Sequence, residues 1–223
     1  MMKFVCLIPA RAGSKRIKNK NIKKINNKLL IEYTLEFAVN SRLFNHVIVS
    51  SDSKIIHNII KRKYSKKIIF LSRPANLAMD NSTTESCVNH VLNNFNFIKP
   101  NDYIFILEPT SPLRKLNTIK KAINIVKEYK PQSVISTFRN KSLPGIIKKN
   151  NQFKYLIRNQ KRNSQKRNYV YFEVGVFWAI SVKFFIRNNK IVSNQTKFVN
   201  VEYPEYIDIN FNEDLKEVKK FLK

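Results

Sequence analysis

Short apolar runs alternate with helix-period segments through the first two-thirds of this chain. That alternation restricts the fold more than any other feature. The runs Lys3–Ile8, His46–Ser50, Lys67–Leu71, Asp102–Leu107 and Ser133–Thr137 are the strand candidates. Between them apolar residues recur with a period near 3.6: Leu30, Tyr33 and Phe37; Val88, Val91, Leu92 and Phe95; Leu116, Ile119, Ile123 and Val126. Continuous apolar strands alternating with helices predict an α/β protein with a mostly parallel sheet covered on both faces. An open, doubly wound sheet fits 223 residues better than an eight-fold barrel does.

The pattern breaks near Arg139. From 139 to 172 the chain is polar and basic, with turn residues at Pro144–Gly145 and Asn150–Asn151, and it reads as an arm inserted into a single domain of residues 1–223. Apolar strands resume at Gly175–Ser181 and Phe198–Val201, and a last helix starts at Asn212 with Leu215, Val218 and Leu222 on one face.

Charge is the compositional outlier: 42 Lys and Arg against 15 Asp and Glu, a net of +27. A nucleic-acid or membrane-surface protein is one reading of that excess. The cations are mostly Lys, however, and are spread along the whole chain beside heavy use of Asn and Ile, as expected from drift of neutral surface positions. We therefore expect neither nucleic acid nor membrane as a partner. No window approaches the roughly 18 apolar residues of a membrane span. Cys6 and Cys87 lack metal-type spacing, which points to a reducing, cytoplasmic setting.

In open α/β sheets ligands sit beyond the carboxyl ends of the strands, so the loops after each strand carry the chemistry. The first, Pro9 to Asn21, has one glycine and is neither a dinucleotide fingerprint nor a Walker A loop. It does offer backbone N–H groups, a hydroxyl and several cations, which suits a polyphosphate; a solvated basic loop is the alternative. Arg73 is held extended by Pro74, and Ser82 with Glu85 reads as a capping box at a helix start, a position that also favours anions. Glu108-Pro109-Thr110-Ser111-Pro112 is a stiff loop with two hydroxyls. Asp208 and Asn210 face the same way on an extended segment, where they could hold a hard cation or simply precede the last helix. His46, His57 and His90 share no spacing, and there is no Ser-His-Asp signature.

Taken in order, Ile8-Pro9-Ala10-Arg11, Gly13-Ser14-Lys15, Lys20-Asn21-Ile22, Val49-Ser50-Ser51-Asp52, Arg73-Pro74 with Leu77-Ala78 and Asp80, Pro109-Thr110-Ser111-Pro112-Leu113-Arg114, Ser133-Val134-Ile135-Ser136 and Ile207-Asp208-Ile209 resemble the acylneuraminate cytidylyltransferases, which make CMP-sialic acid and its legionaminic and pseudaminic relatives. The resemblance spans nearly the whole chain. It implies a Rossmann-like nucleotidyltransferase fold, a homodimer built through the arm, Mg²⁺ as cofactor, and CTP with a nine-carbon 2-keto sugar acid as substrates. It also implies roles. Arg11, Ser14, Lys15 and Lys20, with Gly13 and Asn21 in the same loop, would cradle the triphosphate, Lys20 at the α-phosphate. Ala10, Arg73, Asn81 and Thr84 would line the cytidine pocket, with Arg73 and the backbone around Ala10 reading the base. Glu108, Thr110, Ser111 and Gln165, with Arg162 or Arg167, would face the sugar acid, and Asp208 with Asn210 would hold Mg²⁺.

Several positions depart from the family pattern. Asn210 stands where a second Asp is usual, Glu108 where Gln is usual, Ser164-Gln165 where Arg-Gln is usual, and Val174 to Trp178 replaces Asn-Gly-Ala-Ile-Tyr. The departures lie on the sugar and metal side. A synthetase for the eight-carbon keto acid of lipopolysaccharide, and a low-activity basic binding protein on the same scaffold, are the alternatives.

Overall fold

The computed structural model describes residues 1–157 and 161–222. In chain order the strands are β1 (Phe4–Pro9), β2 (Lys24–Ile25), β3 (Lys28–Leu29), β4 (His46–Ser51), β5 (Ile69–Ser72), β6 (Tyr103–Ile106), β7 (Ser133–Asn140), β8 (Gly145–Ile147), β9 (Phe153–Tyr155), β10 (Val170–Ser181) and β11 (Thr196–Asn200). The helices are α1 (Leu30–Asn40), α2 (Lys54–Lys63), α3 (Thr84–Asn94), α4 (Leu116–Tyr129), α5 (Val182–Asn188) and α6 (Asn212–Lys219).

Seven strands form one sheet in the order β11-β7-β10-β6-β1-β4-β5. All neighbours are parallel except β10, which runs antiparallel to both β6 and β7. The period-two alternation of strand side chains divides β1 between two cores. Phe4, Cys6 and Ile8 pack on one face with Ile31 and Leu35 of α1, Ile56 and Ile60 of α2, and Ile119, Ile123 and Val126 of α4. Val5 and Leu7 pack on the other with Cys87, Val88 and Val91 of α3 and Val182 and Phe185 of α5. The sheet is thus doubly wound, as the alternation predicts. Among the described residues no helix is long and apolar enough to cross a membrane.

Two expectations need correction. The strand read as starting at Gly175 starts at Val170, and β7 runs on to Asn140, because the two pair as a ladder from Val170↔Asn140 to Val174↔Ser136 before a bulge. The signal was present as an alternation: Tyr169, Tyr171 and Glu173 are exposed while Val170, Phe172 and Val174 are half-buried. The second correction is the cap of α3. Thr83, not Ser82, is the N-cap, and its side chain accepts from the Ser86 N–H at 3.1 Å. Ser82 instead donates to the Asn76 carbonyl at 3.3 Å. Thr83→Ala is therefore expected to lower stability by about 1 kcal/mol, or about 2–4 °C in Tm for a chain of this size. Ser82→Ala should stay within about 0.5 kcal/mol. Thermal unfolding of the pair checks the assignment, and equal shifts would contradict it.

Candidate functional site

The sheet reverses direction at β1. From β1 the chain runs outward through β4 to β5, then returns to place β6 on the other side of β1. The loops after β1 and β6 consequently part, which is where open α/β sheets form a crevice. A cleft of about 260 Å³ opens there. Arg11, Gly13, Ser14, Lys20 and Asn21 line it from the loop after β1; Arg73 lines it from the segment after β5. Ser82, Thr83, Thr84 and Cys87 line it from the start of α3, and Glu108, Pro109 and Thr110 from the loop after β6.

The loop after β1 has almost no regular structure, yet it is anchored. Ile17 is 3% exposed and packs in a third apolar cluster with Ile25, Leu30, Ile207, Ile209, Leu215 and Val218. Burying one isoleucine contributes about 1.5–3 kcal/mol, enough to seat the loop against the 207–209 segment. Local bonds then set its path: the Ala12 N–H donates to Asp52 Oδ1 at 2.7 Å, and Asn21 donates to the Arg11 carbonyl at 3.0 Å. Gly13 has no left-handed backbone, and a Cβ built on it meets nothing within 4 Å. Packing does not require glycine there; its small size leaves room on the cleft side.

That seating brings Lys20 to Asp208. Lys20 Nζ donates to the Ile209 carbonyl at 2.7 Å. Burial holds its ammonium below the ordinary lysine value, opposed by the nearby carboxylates of Asp208 and Glu108. Burial, then the Asp208 charge, pushes the Glu108 carboxyl above its ordinary range. The Asn210 amide donates to Asp208 Oδ2 at 2.7 Å, and Arg16 donates to Asn210 Oδ1 at 3.0 Å. Asp208 Oδ1 and Ser111 Oγ are buried without a hydrogen-bond partner among the described residues. Both lie beside Gly175, whose added Cβ would meet them at 3.6 and 3.4 Å. Gly175 sits in the β10 bulge, which Ser136 stitches: its Oγ donates to the Val174 carbonyl at 2.6 Å and accepts from the Phe177 N–H at 3.1 Å.

A carboxylate oxygen left unpaired in a buried setting suits a cation-ligand role, so the donors present fit Mg²⁺ with Asp208 as its carboxylate. Asn210 supplies one more oxygen, already engaged by Arg16.

Arg73 is buried and braced: Nε donates to Ser50 Oγ at 3.0 Å, and Nη2 to the Ser50 carbonyl at 2.8 Å and to Cys87 Sγ at 3.2 Å. This leaves Nη1 without a hydrogen bond among the described residues. Lys15 and Arg11 both reach Asp80, at 2.7 and 2.6 Å.

Other expected site residues fall elsewhere. Ala10 is buried and does not line the cleft; its N–H donates to the Ser50 carbonyl, and its carbonyl accepts from Ser51 Oγ, one of the two bonds that oxygen can accept. Asn81 is exposed and does not line the cleft. Arg162, Gln165 and Arg167 stay on the arm. Arg167 donates to the Lys161, Arg162 and Lys141 carbonyls, Arg162 to the Tyr155 hydroxyl, and the Gln165 carbonyl accepts from Lys141. An arm with little regular structure leaves carbonyls unpaired, and a five-donor guanidinium satisfies several at once.

Sequence reasoning missed a second cavity. About 340 Å³ in volume, it shares Thr84 with the cleft and is walled by Glu85, Glu173, Trp178, Lys190, Ile191 and Val192. Trp178 Nε1 donates to Glu173 Oε1 at 2.6 Å across the bulge. An aromatic face, apolar walls and a few charged groups suit a polar ring bearing an apolar substituent. Trp178 was visible only as a departure from a motif. A larger cavity of about 610 Å³ lies at the opposite end of the sheet, beside Lys3, Lys99, Lys130 and Lys183. The Asp102 carboxylate there already accepts the Lys3 and Lys99 N–H groups.

A cytidylyltransferase family model matches residues 5–221. The pseudaminic acid cytidylyltransferase of Campylobacter jejuni is 29% identical over 229 residues, covering 100% of this chain and 97% of that protein. The N-acylneuraminate cytidylyltransferase of Escherichia coli O18:K1:H7 is 35% identical over 149 residues; the match covers 66% of this chain and 34% of that protein. Among solved structures, a CMP:2-keto-3-deoxy-manno-octonic acid synthetase complexed with CTP superposes with a TM-score of 0.70 at 16% identity, over 98% of both chains. At that identity the likeness concerns the fold.

Proposed function

We propose, from the premise that this chain belongs to the cytidylyltransferase family, that it couples CTP to a nonulosonic sugar acid. The observation that carries the reading is the convergence of Arg11, Ser14, Lys20, Arg73 and Thr84 on one cleft, with a second, ring-sized cavity sharing the Thr84 wall. The relatives named for N-acylneuraminate and pseudaminic acid support the same acceptor class.

In the proposed reaction the anomeric hydroxyl oxygen attacks the α-phosphorus of CTP. The new O–P bond forms as the α–β phosphoanhydride breaks; pyrophosphate leaves and the hydroxyl proton is lost to solvent. Such transfers depend on positioning and charge neutralisation rather than on covalent help. Arg11 and Lys15 would hold the outer phosphates and Lys20 the α-phosphate. Arg73, braced from behind, would present Nη1 to the base. Mg²⁺, held by Asp208 with Asn210, would supply further neutralisation of phosphate charge. Trp178, Ile191 and Val192 would receive the acceptor ring and its substituents. The reaction belongs in the cytoplasm, a setting supported by two buried free thiols, Cys6 and Cys87.

The arm supports a homodimer. Ile146, Ile147, Phe153, Leu156 and Tyr171 are all exposed, and a second copy covering them would remove that surface from water. Light scattering at micromolar concentration would read twice the 26.3 kDa chain mass; a monomer would leave the arm without this role.

The test of function is pyrophosphate release with CTP and Mg²⁺ against N-acetylneuraminic, legionaminic and pseudaminic acids, with the eight-carbon keto acid as control. Turnover with one nine-carbon acid is expected. Turnover with the eight-carbon acid alone would replace the acceptor class. Asn210→Asp is expected to lower the Mg²⁺ concentration for half-maximal rate, because a carboxylate adds the charge that the amide lacks. An unchanged Mg²⁺ titration would remove residue 210 from the metal site.

A further inference from the structure

We propose that Asp80 is an anionic stand-in that competes with the outer phosphates for Arg11 and Lys15, and so drives pyrophosphate out after transfer. The proposal rests on the reading of the cleft as a CTP site. Each Asp80 oxygen takes one cation: Oδ1 receives Arg11 Nη1 at 2.6 Å and Oδ2 receives Lys15 Nζ at 2.7 Å. The cations come from the loop after β1 and the carboxylate from the segment before α3, and both segments contribute residues to the cleft lining. The two pairs therefore tie these two segments together.

The carboxylate is carried on an ordered turn. The Ser82 N–H donates to the Met79 carbonyl at 3.1 Å, and Ser82 Oγ to the Asn76 carbonyl at 3.3 Å. The pairs themselves are exposed, with side-chain exposures of 34% for Arg11, 81% for Lys15 and 43% for Asp80. Exposed pairs are weak, each worth at most about a fivefold change in an equilibrium. That weakness is what an exchangeable partner requires. A triphosphate brings more charge than one carboxylate and is also held through its base and by Lys20. Pyrophosphate, once severed from the nucleotide, has only the cations, and Asp80 can take two of them back.

The test measures pyrophosphate binding to the free protein by calorimetry, with product inhibition alongside, for wild type, Asp80→Asn and Asp80→Glu. Asp80→Asn is expected to bind pyrophosphate about three- to tenfold more tightly, with the inhibition constant falling by the same factor. Asp80→Glu keeps the charge and should stay within about twofold of wild type. Equal or weaker pyrophosphate binding by Asp80→Asn, with CTP still stabilising the fold thermally, would overturn the role of Asp80 alone. If CTP stabilises neither protein, the CTP reading of the cleft falls and takes this role with it.

Discussion

Lys20→Ala is expected to cut turnover by about 10²–10³-fold, the loss typical of removing one preorganised stabiliser of transition-state charge. The expectation follows from where the tertiary structure places the ammonium. It is half-buried, bonded to the Ile209 carbonyl and close to the carboxylates of Asp208 and Glu108. A positive charge on a half-buried side chain acts on phosphate charge more strongly than it would in bulk water. The fold should survive, because Ile17 rather than Lys20 anchors the loop. The informative set is turnover, CTP affinity and Tm measured on Lys20→Ala and Lys20→Arg. Lys20→Arg, which keeps the charge, should recover part of the rate. Unchanged turnover in Lys20→Ala would remove this residue from the site.

Arg114→Met is expected to cost about 3–5 kcal/mol of stability, through loss of charge-assisted bonds to buried acceptors. Arg114 is 6% exposed, and no carboxylate lies within ion-pair distance of it among the described residues. Its bonds go to oxygens instead: Nε to the Val176 carbonyl at 2.6 Å, Nη2 to the Glu108 carbonyl at 2.9 Å, and Nη1 to Thr34 Oγ1 at 3.4 Å. The guanidinium also lies 5.7 Å from the centroid of the Phe37 ring. Burial pushes it down to about 10, so it remains charged at neutral pH. Methionine keeps much of the volume but takes the Arg114 donor from the Val176 carbonyl and leaves the Glu108 carbonyl with only the Ser111 N–H, at 3.4 Å. At roughly 2–4 °C per kcal/mol for a chain of this size, Tm should fall by about 10 °C. Arg114→Lys should recover little, since a point charge does not reproduce the fork. A Tm unchanged in both variants would mean that water or neighbouring N–H groups satisfy those carbonyls without Arg114. Val176 belongs to the bulge beside Gly175, and Glu108 lines the cleft. The same variant should therefore weaken acceptor binding in whatever fraction stays folded.

Neither role could be read from its own segment. Glu108 to Arg114 is legible as a stiff loop with hydroxyls, but nothing local says that Arg114 turns inward as a strut while Glu108 faces the cleft. Ser82 and Thr83 are adjacent hydroxyl residues with comparable capping preference, and only the chain path into α3 selects Thr83. Trp178 and Glu173 meet because a bulge shortens the distance between them, and a bulge leaves little trace in the spacing of residues. Arg162, Gln165 and Arg167 match the sugar-side pattern by order along the chain, yet they bond within the arm.

What the amino-acid order determined by itself was the layering. Period-two and period-3.6 apolar patterns are local consequences of strand and helix geometry, and burial of those faces permits few arrangements. The loops that carry Arg11, Arg73, Glu108 and Asp208 follow from that layering, because the connections after parallel strands gather at one end of the sheet. Tertiary structure alone decided which of their side chains meet. Arg16 reaches Asn210 across 194 residues and Lys20 reaches Ile209 across 189. Ile17, Ile207 and Ile209 share one buried cluster, and that cluster brings those segments together. Apolar burial is non-directional and names no partner; only the folded chain gives each of these isoleucines the others to pack against.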